Sequence, residues 1–129
     1  PEDRVFDVLT EGIFSLHKEA TLRDAIRLLD EEHIHSVAVL DDRGSPLGLL
    51  GSEDVINLLA DGNTPDTRLS QVRLQDLSVI PKISPLNSAI SRMKRKHNYK
   101  FLVVDQERKP TGLLTESDII EHLAEQEKV

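Results

Sequence analysis

The sequence predicts an α+β fold made of two β-α-β-β-α repeats. Two observations carry this. Shifted by 64 residues, positions 21–60 align with 85–124 without a gap, and fourteen of the forty positions are identical. Each copy also runs in the same order: a helical period, two short apolar runs joined by turn residues, then a second helical period.

The elements follow in sequence. "GIFSL" (12–16) reads as an opening strand and is matched by "DLSVI" at 76–80. "TLRDAIRLLDEEH" places Leu22, Ala25, Ile26 and Leu29 at helical spacing, with Thr21 as N-cap. "SVAVLDD" reads as a strand ending in turn residues, "DDRGSP" as a tight connection, and "LGLL" as the strand that completes a hairpin. "SEDVINLLA" is a second helix, and "DGNTPDT" ends it as a linker. The repeat period divides the chain into 1–64 and 65–129. A unit of about 60 residues is marginal alone, so the copies are expected to pack on each other about a pseudo-twofold axis. The second helices carry Val55-Ile56 with Leu58-Leu59, and Ile119-Ile120 with Leu123. That stripe is wider than one contact face needs, so part of it is expected to face another subunit in a homodimer.

Composition narrows the function. The 129 residues contain no cysteine, which removes disulfides, zinc-thiolate sites and thiol nucleophiles and fits a cytoplasmic location. No apolar run approaches the roughly 18 residues of a membrane span, and no signal-peptide pattern is present. Residues 1–64 hold 5 Lys/Arg against 14 Asp/Glu, and residues 65–129 hold 11 against 9. A net charge of −7 with one Tyr, three Phe and no Trp argues against nucleic-acid binding. The basic excess of the second half sits in "RMKRKHNYK", residues 92–100, and the plain reading of that run is a solvated helix face.

One pair of stretches raises a functional question. "TGLLTESDIIEHL" (111–123) resembles a capping box, with Thr115 at the N-cap and Asp118 three residues on. Its counterpart, "LGLLGSEDVINLL" (47–59), keeps Gly48 and Asp54 but has Gly51 in place of the hydroxyl. A carboxylate kept after its capping partner has gone suggests work beyond capping. The alternative is that both aspartates simply favour a helix N-terminus through its dipole.

The order of elements and the tandem G-h-h-[T/S]-x-x-D pattern (h is apolar) resemble a CBS-domain pair, or Bateman module, over about residues 5–125. The second copy matches with "FLVVD" and Gly112-Leu113-Leu114-Thr115-Glu116-Ser117-Asp118, while the first departs at Gly51. The resemblance implies a regulatory module that needs no cofactor for chemistry. It implies an adenosine-containing ligand of the AMP, ADP or ATP type, with S-adenosylmethionine or NAD(H) also admitted, bound in clefts between the repeats. It also implies a conformational signal passed to an effector domain or protein outside this chain. In the first cleft, Thr10, Ile13 and Phe14 would act with the backbone of Ile34 and His35 at the adenine edge. Thr115, Ser117 and Asp118 would hold the ribose, and Tyr99 and Lys100 would stand near phosphate. In the second cleft, Leu77, Ser78, Asn98 and Tyr99 would act with Asp54, and His35-Ser36 would stand near phosphate. The chemistry suits the residues: an ionised carboxylate accepts strong hydrogen bonds from a ribose diol, and free N–H groups at a helix start favour phosphate. The Asp118 cleft is expected to be the better phosphate binder, because it keeps the hydroxyl and gains Lys100.

Other functional classes fit the residues less well. His33-Ile34-His35 hints at a metal site, but no third ligand stands nearby in the sequence, and the histidines read as satisfied or exposed. No nucleophile elbow, P-loop or paired catalytic acid is present, so no enzymatic activity is expected. The open alternative is a structural dimerisation module with degenerate, empty clefts.

Overall fold

The computed structural model describes residues 3–75, 78–96 and 100–128. They form two compact units, one from Pro1–Ile13 with Ser78–Val129 and the other from Phe14–Leu77. The units therefore do not follow the repeat period: the described residues up to Ile13 belong with the second repeat.

Within Phe14–Leu77, β2 (Ser15–His17) pairs parallel with β3 (Ser36–Leu40), and β3 pairs antiparallel with β4 (Pro46–Gly51). Helices α1 (Leu22–Glu31) and α2 (Ser52–Ala60) complete the expected β-α-β-β-α order. In the other unit the same order is β5 (Val79–Pro81), α3 (Leu86–Lys96), β6 (Lys100–Val104), β7 (Pro110–Thr115) and α4 (Glu116–Gln126). Among the described residues this unit has one strand more: β1 (Thr10–Glu11) joins the outer edge of β7, giving the order β1-β7-β6-β5. Among the described residues, no helix is long and apolar enough to cross a membrane.

Local chemistry explains the boundaries. Thr21 caps α1 by accepting from the Asp24 N–H, while Asp24 Oδ2 accepts from the Thr21 N–H at 3.0 Å. The hairpin turns reuse one device at positions identical between the repeats. Asp41 Oδ1 accepts from the N–H groups of Arg43 and Ser45, and Asp105 Oδ1 from those of Glu107 and Lys109. His33 ends α1 with φ 52°, its N–H donating to Asp30 and that of Ile34 to Leu29. That is a Schellman cap with histidine in the left-handed position, which explains His33 without a metal.

Each unit has its own core, and the two are built from equivalent positions. Leu22, Ala25, Val37, Val39, Leu50 and Val55 fill one; Leu86, Ala89, Phe101, Val103, Leu114 and Ile119 fill the other. The stripe on α1 is narrower than its period suggests: Leu22 and Ala25 are fully buried, whereas Ile26 and its counterpart Ile90 sit at the surface. Arg92, first of the basic run, is spent internally. Its guanidinium lies 4.8 Å from the Phe101 ring centroid and donates to the Val79 carbonyl. Met93 beside it is buried, while Lys94 and Arg95 face outward.

The segments ahead of each repeat explain the unit boundaries. Val5, in a 3-10 turn at Val5–Asp7, joins the core of the second repeat. Its counterpart Leu69, in the turn Leu69–Gln71, joins the core of the first. The backbone bonds match in pairs. The Val5 N–H donates to Ser84 as that of Leu69 does to Ala20, and the Leu86 N–H donates to Asp3 as that of Leu22 does to Thr67.

The capping box gives two measurable effects. Thr21→Ala is expected to cost about 1 kcal/mol, seen as a melting midpoint lower by several degrees. The Thr21 N–H holds the Asp24 carboxyl below its ordinary value of 3.8. That contribution is complete above 3.8 and is lost as pH falls through the lower folded value. The stability gap between wild type and Asp24→Asn should therefore be full at neutral pH and close in acid, as measured by urea unfolding across pH.

Candidate functional site

Asp118 stands in the first turn of α4, where the β7 strand ends. Its Oδ2 accepts from the Thr115 N–H at 2.9 Å and from the Thr115 hydroxyl at 3.1 Å. Its Oδ1 faces away from the helix start and accepts from the Thr10 hydroxyl at 2.6 Å. Thr10, Thr115 and Asp118, expected together from sequence, are thus brought together within one unit. Lys100 lies opposite Thr115 in the β6–β7 ladder. Ser117 is exposed in the same first turn, and Ile13 is half-buried two residues past β1.

Asp54 repeats the arrangement in the other unit. Its Oδ2 accepts from the Gly51 N–H at 2.6 Å, so the carboxylate half of the capping box survives without a hydroxyl. Retention of Asp54 is therefore explained in part by capping alone. Gln75 supplies the second donor: its Nε2 lies 3.0 Å from both Oδ1 and Oδ2. Nothing in the repeat alignment marks Gln75. The segment between the 3-10 turn and the bridging residue is one position longer here than before Thr10, so a strict shift of 64 sets Leu74 opposite Thr10. Register reveals the match. Thr10 pairs with Leu113, and Gln75 bridges Leu49, the counterpart of Leu113.

The glycines of the pattern explain why those segments lie there. A Cβ on Gly112 would stand 2.2 Å from the Thr10 carbonyl oxygen and 2.5 Å from Leu9 Cδ1. A Cβ on Gly48 would stand 2.6 Å from Leu74 Cβ. All three distances are shorter than side-chain contacts allow, so Gly at each position is what admits the crossing segment.

Phe14, Ile34 and His35 lie in the Phe14–Leu77 unit. Phe14 is 43% exposed and accepts from the Ala38 N–H through its carbonyl; Ile34 is half-buried. The His35 carbonyl, assigned to the adenine edge, accepts from the Ser52 N–H at the start of α2 and so is already used once. Ser36 is buried opposite Gly51. Ser78 is half-buried, and its carbonyl accepts from Leu102. Leu77, Asn98 and Tyr99 lie outside the described residues. Among the described residues, no group of three or more His, Cys, Asp or Glu side chains could hold a metal.

Each repeat thus presents a helix-start carboxylate with one oxygen tied to the backbone. A side chain from a crossing segment donates to the other oxygen, and in the Asp54 site to both. Fold and site together define a tandem β-α-β-β-α module. The CBS domain model matches the chain twice, at residues 5–61 and 69–125, and the chain belongs to the CBS-domain family. It is 29% identical over 120 residues to an L-aspartate semialdehyde sulfurtransferase from Methanosarcina acetivorans, covering 93% of this chain and 24% of that protein. The chain spans less than half the length of the first curated relatives it matches. Solved structures share the fold, among them two with bound ligands. The CBS domain pair of protein MJ0100, in complex with 5′-methylthioadenosine and S-adenosyl-L-methionine, gives a TM-score of 0.78 at 20% identity over 98% of this chain and 100% of that one. CBSX2 in complex with AMP gives 0.76 at 18% identity, over 97% and 98%.

Gly112→Ala tests the crossing. The added methyl should push β1 off β7 and cost about 1–3 kcal/mol in urea unfolding. The Gly12 amide, which donates to Thr111 at 2.9 Å, should lose its protection from hydrogen exchange.

Proposed function

We propose that this chain is a regulatory module that binds an adenosine-containing nucleotide of the AMP, ADP or ATP type and signals its occupancy to a partner or attached domain. One observation carries the reading: Asp118 Oδ1 is satisfied by a lone, exposed hydroxyl at 2.6 Å. A ribose hydroxyl is the same kind of donor and can take its place, making a charge-assisted bond of equal character. Thr115 and Ser117 flank that carboxylate, and Lys100, across the ladder from Thr115, is the basic residue assigned to phosphate. Ile13, Phe14 and the backbone of Ile34 and His35 are assigned to the base, and Asp54 to a second ribose. Two relatives of the same fold, solved with AMP and with S-adenosyl-L-methionine, support the ligand class. The signal would arise because a ligand favours whichever conformational state it binds more tightly. No catalytic step is assigned.

A homodimer is part of the proposal. Ile56 on α2 and Ile120 on α4, identical between the repeats, are 65% and 64% exposed, a cost that a second copy would remove. Ile56→Glu with Ile120→Glu should convert a dimer into a monomer in sedimentation equilibrium, and a wild-type monomer would dismiss this part.

Thermal melting with AMP, ADP, ATP, S-adenosylmethionine and NADH tests the ligand. A ligand at 100 times its dissociation constant stabilises by about 2.7 kcal/mol, enough to raise the midpoint by several degrees. The shift should appear with one ligand and vanish in Asp118→Ala. A protein indifferent to all five would instead be a structural dimerisation module with empty clefts.

A further inference from the structure

We infer that Gln75 is a built-in latch on Asp54, which holds the second carboxylate away from ligand while Asp118 responds. The inference rests on the proposed role of these two carboxylates in ribose recognition. The two sites are equivalent in backbone but not in donor. At Asp118 a single hydroxyl takes one oxygen, and the other stays with the cap. At Asp54 the Gln75 amide lies 3.0 Å from both oxygens at once. A ribose diol must claim carboxylate lone pairs that the amide already covers.

The exchange chemistry also differs. When a ribose hydroxyl replaces the Thr10 hydroxyl, one O–H donor gives way to another. The displaced hydroxyl can turn and accept a hydrogen bond, because it is both donor and acceptor. The Gln75 Nε2 only donates and faces both oxygens, so its displacement gives up charge-assisted contact to the whole carboxylate, and a return bond requires the amide to turn over until its Oε1 accepts. The Gln75 backbone cannot withdraw to ease this. It bridges Leu49, and its carbonyl oxygen lies 3.2 Å from where a Cβ on Gly48 would stand. The side chain, however, is exposed and free to rotate outward, so the latch is reversible. Gln75 therefore acts through Asp54 as a positioning residue, and the inequality of the sites lies in the crossing segment as well as in the loss of a hydroxyl at Gly51.

Isothermal titration with AMP tests this on the wild type, Gln75→Met, Gln75→Ala, Gln75→Met with Asp54→Asn, and Asp118→Asn. Methionine keeps the side-chain length and removes the donor; alanine guards against methionine refilling the same space. The wild type should take up one AMP per chain, lost in Asp118→Asn. Gln75→Met and Gln75→Ala should add a second site at least about tenfold tighter than any second-site binding by the wild type, equivalent to about 1.4 kcal/mol. Adding Asp54→Asn should abolish that second site. A purely structural role for Gln75 would lower the melting midpoint without raising the stoichiometry. The latch is overturned if both Gln75 variants leave the second site unchanged or weaker while the Asp118-dependent site persists, or if wild-type AMP already sits at Asp54. Absence of AMP uptake by all five proteins would remove AMP as the ligand and overturn the latch as argued for it, while the melting series with the other nucleotides tests the wider reading separately.

Discussion

Residues 9–10 run over Gly112, and a methyl group there would stand 2.2 Å from the Thr10 carbonyl oxygen. Much of the rest of this molecule depends on that approach and on its counterpart over Gly48. It seats Leu9 and Leu74 on the sheet and lets the 3-10 turns ahead of them fill the cores through Val5 and Leu69. It also lands Thr10 and Gln75 on the two helix-start carboxylates. Packing of the crossing segment and donation to the carboxylate are thus one arrangement. A glycine that looks like a strand defect is the condition for both.

The local rules of the sequence predicted the element order, the hairpin and the N-caps at Thr21 and Thr115, because each is set within a few residues. Thr21 with Asp24, and Asp41 and Asp105 in their turns, need no distant partner. The unit boundaries were hidden for the opposite reason. Val5 is buried by residues some eighty positions away, and its turn carries no periodicity that announces a core. Ile26 shows the same limit in reverse. Its spacing places it on the apolar stripe, yet the core is filled by Leu22 and Ala25 and leaves it at the surface. Of the candidate site, Thr115 and Asp118 were readable from the motif, and Thr10 only from the family resemblance. Gln75 was not, since a one-residue difference in segment length removes it from the alignment and only the strand register restores the match.

The repeated aspartates carry two roles that the sequence could not separate. Capping accounts for one carboxylate oxygen in each repeat: Oδ2 faces Thr115 in one and Gly51 in the other. Gly51 costs the cap its hydroxyl but not its N–H, and so Asp54 keeps a structural reason to remain. What capping leaves unexplained is the remaining oxygen, which takes a donor from outside the helix in both units. That oxygen, rather than the persistence of the aspartate, is where a ligand could be recognised. His33 teaches a parallel lesson. Its place in the His33-Ile34-His35 run hinted at a metal site, but a left-handed cap is enough to account for it.

Divergence between the repeats then has a physical direction. The cores hold equivalent positions in both units, and the turns are closed by the same aspartate device. The differences gather at the carboxylates: hydroxyl against glycine at the cap, threonine against glutamine on the crossing segment. A threonine hydroxyl can donate or accept and yields to a similar group at little net cost. A glutamine amide set across both oxygens is a firmer partner, and removing it leaves a charged group to be resatisfied. The same fold can therefore hold one carboxylate ready for exchange and the other closed, by changing side chains that bear no load in either core.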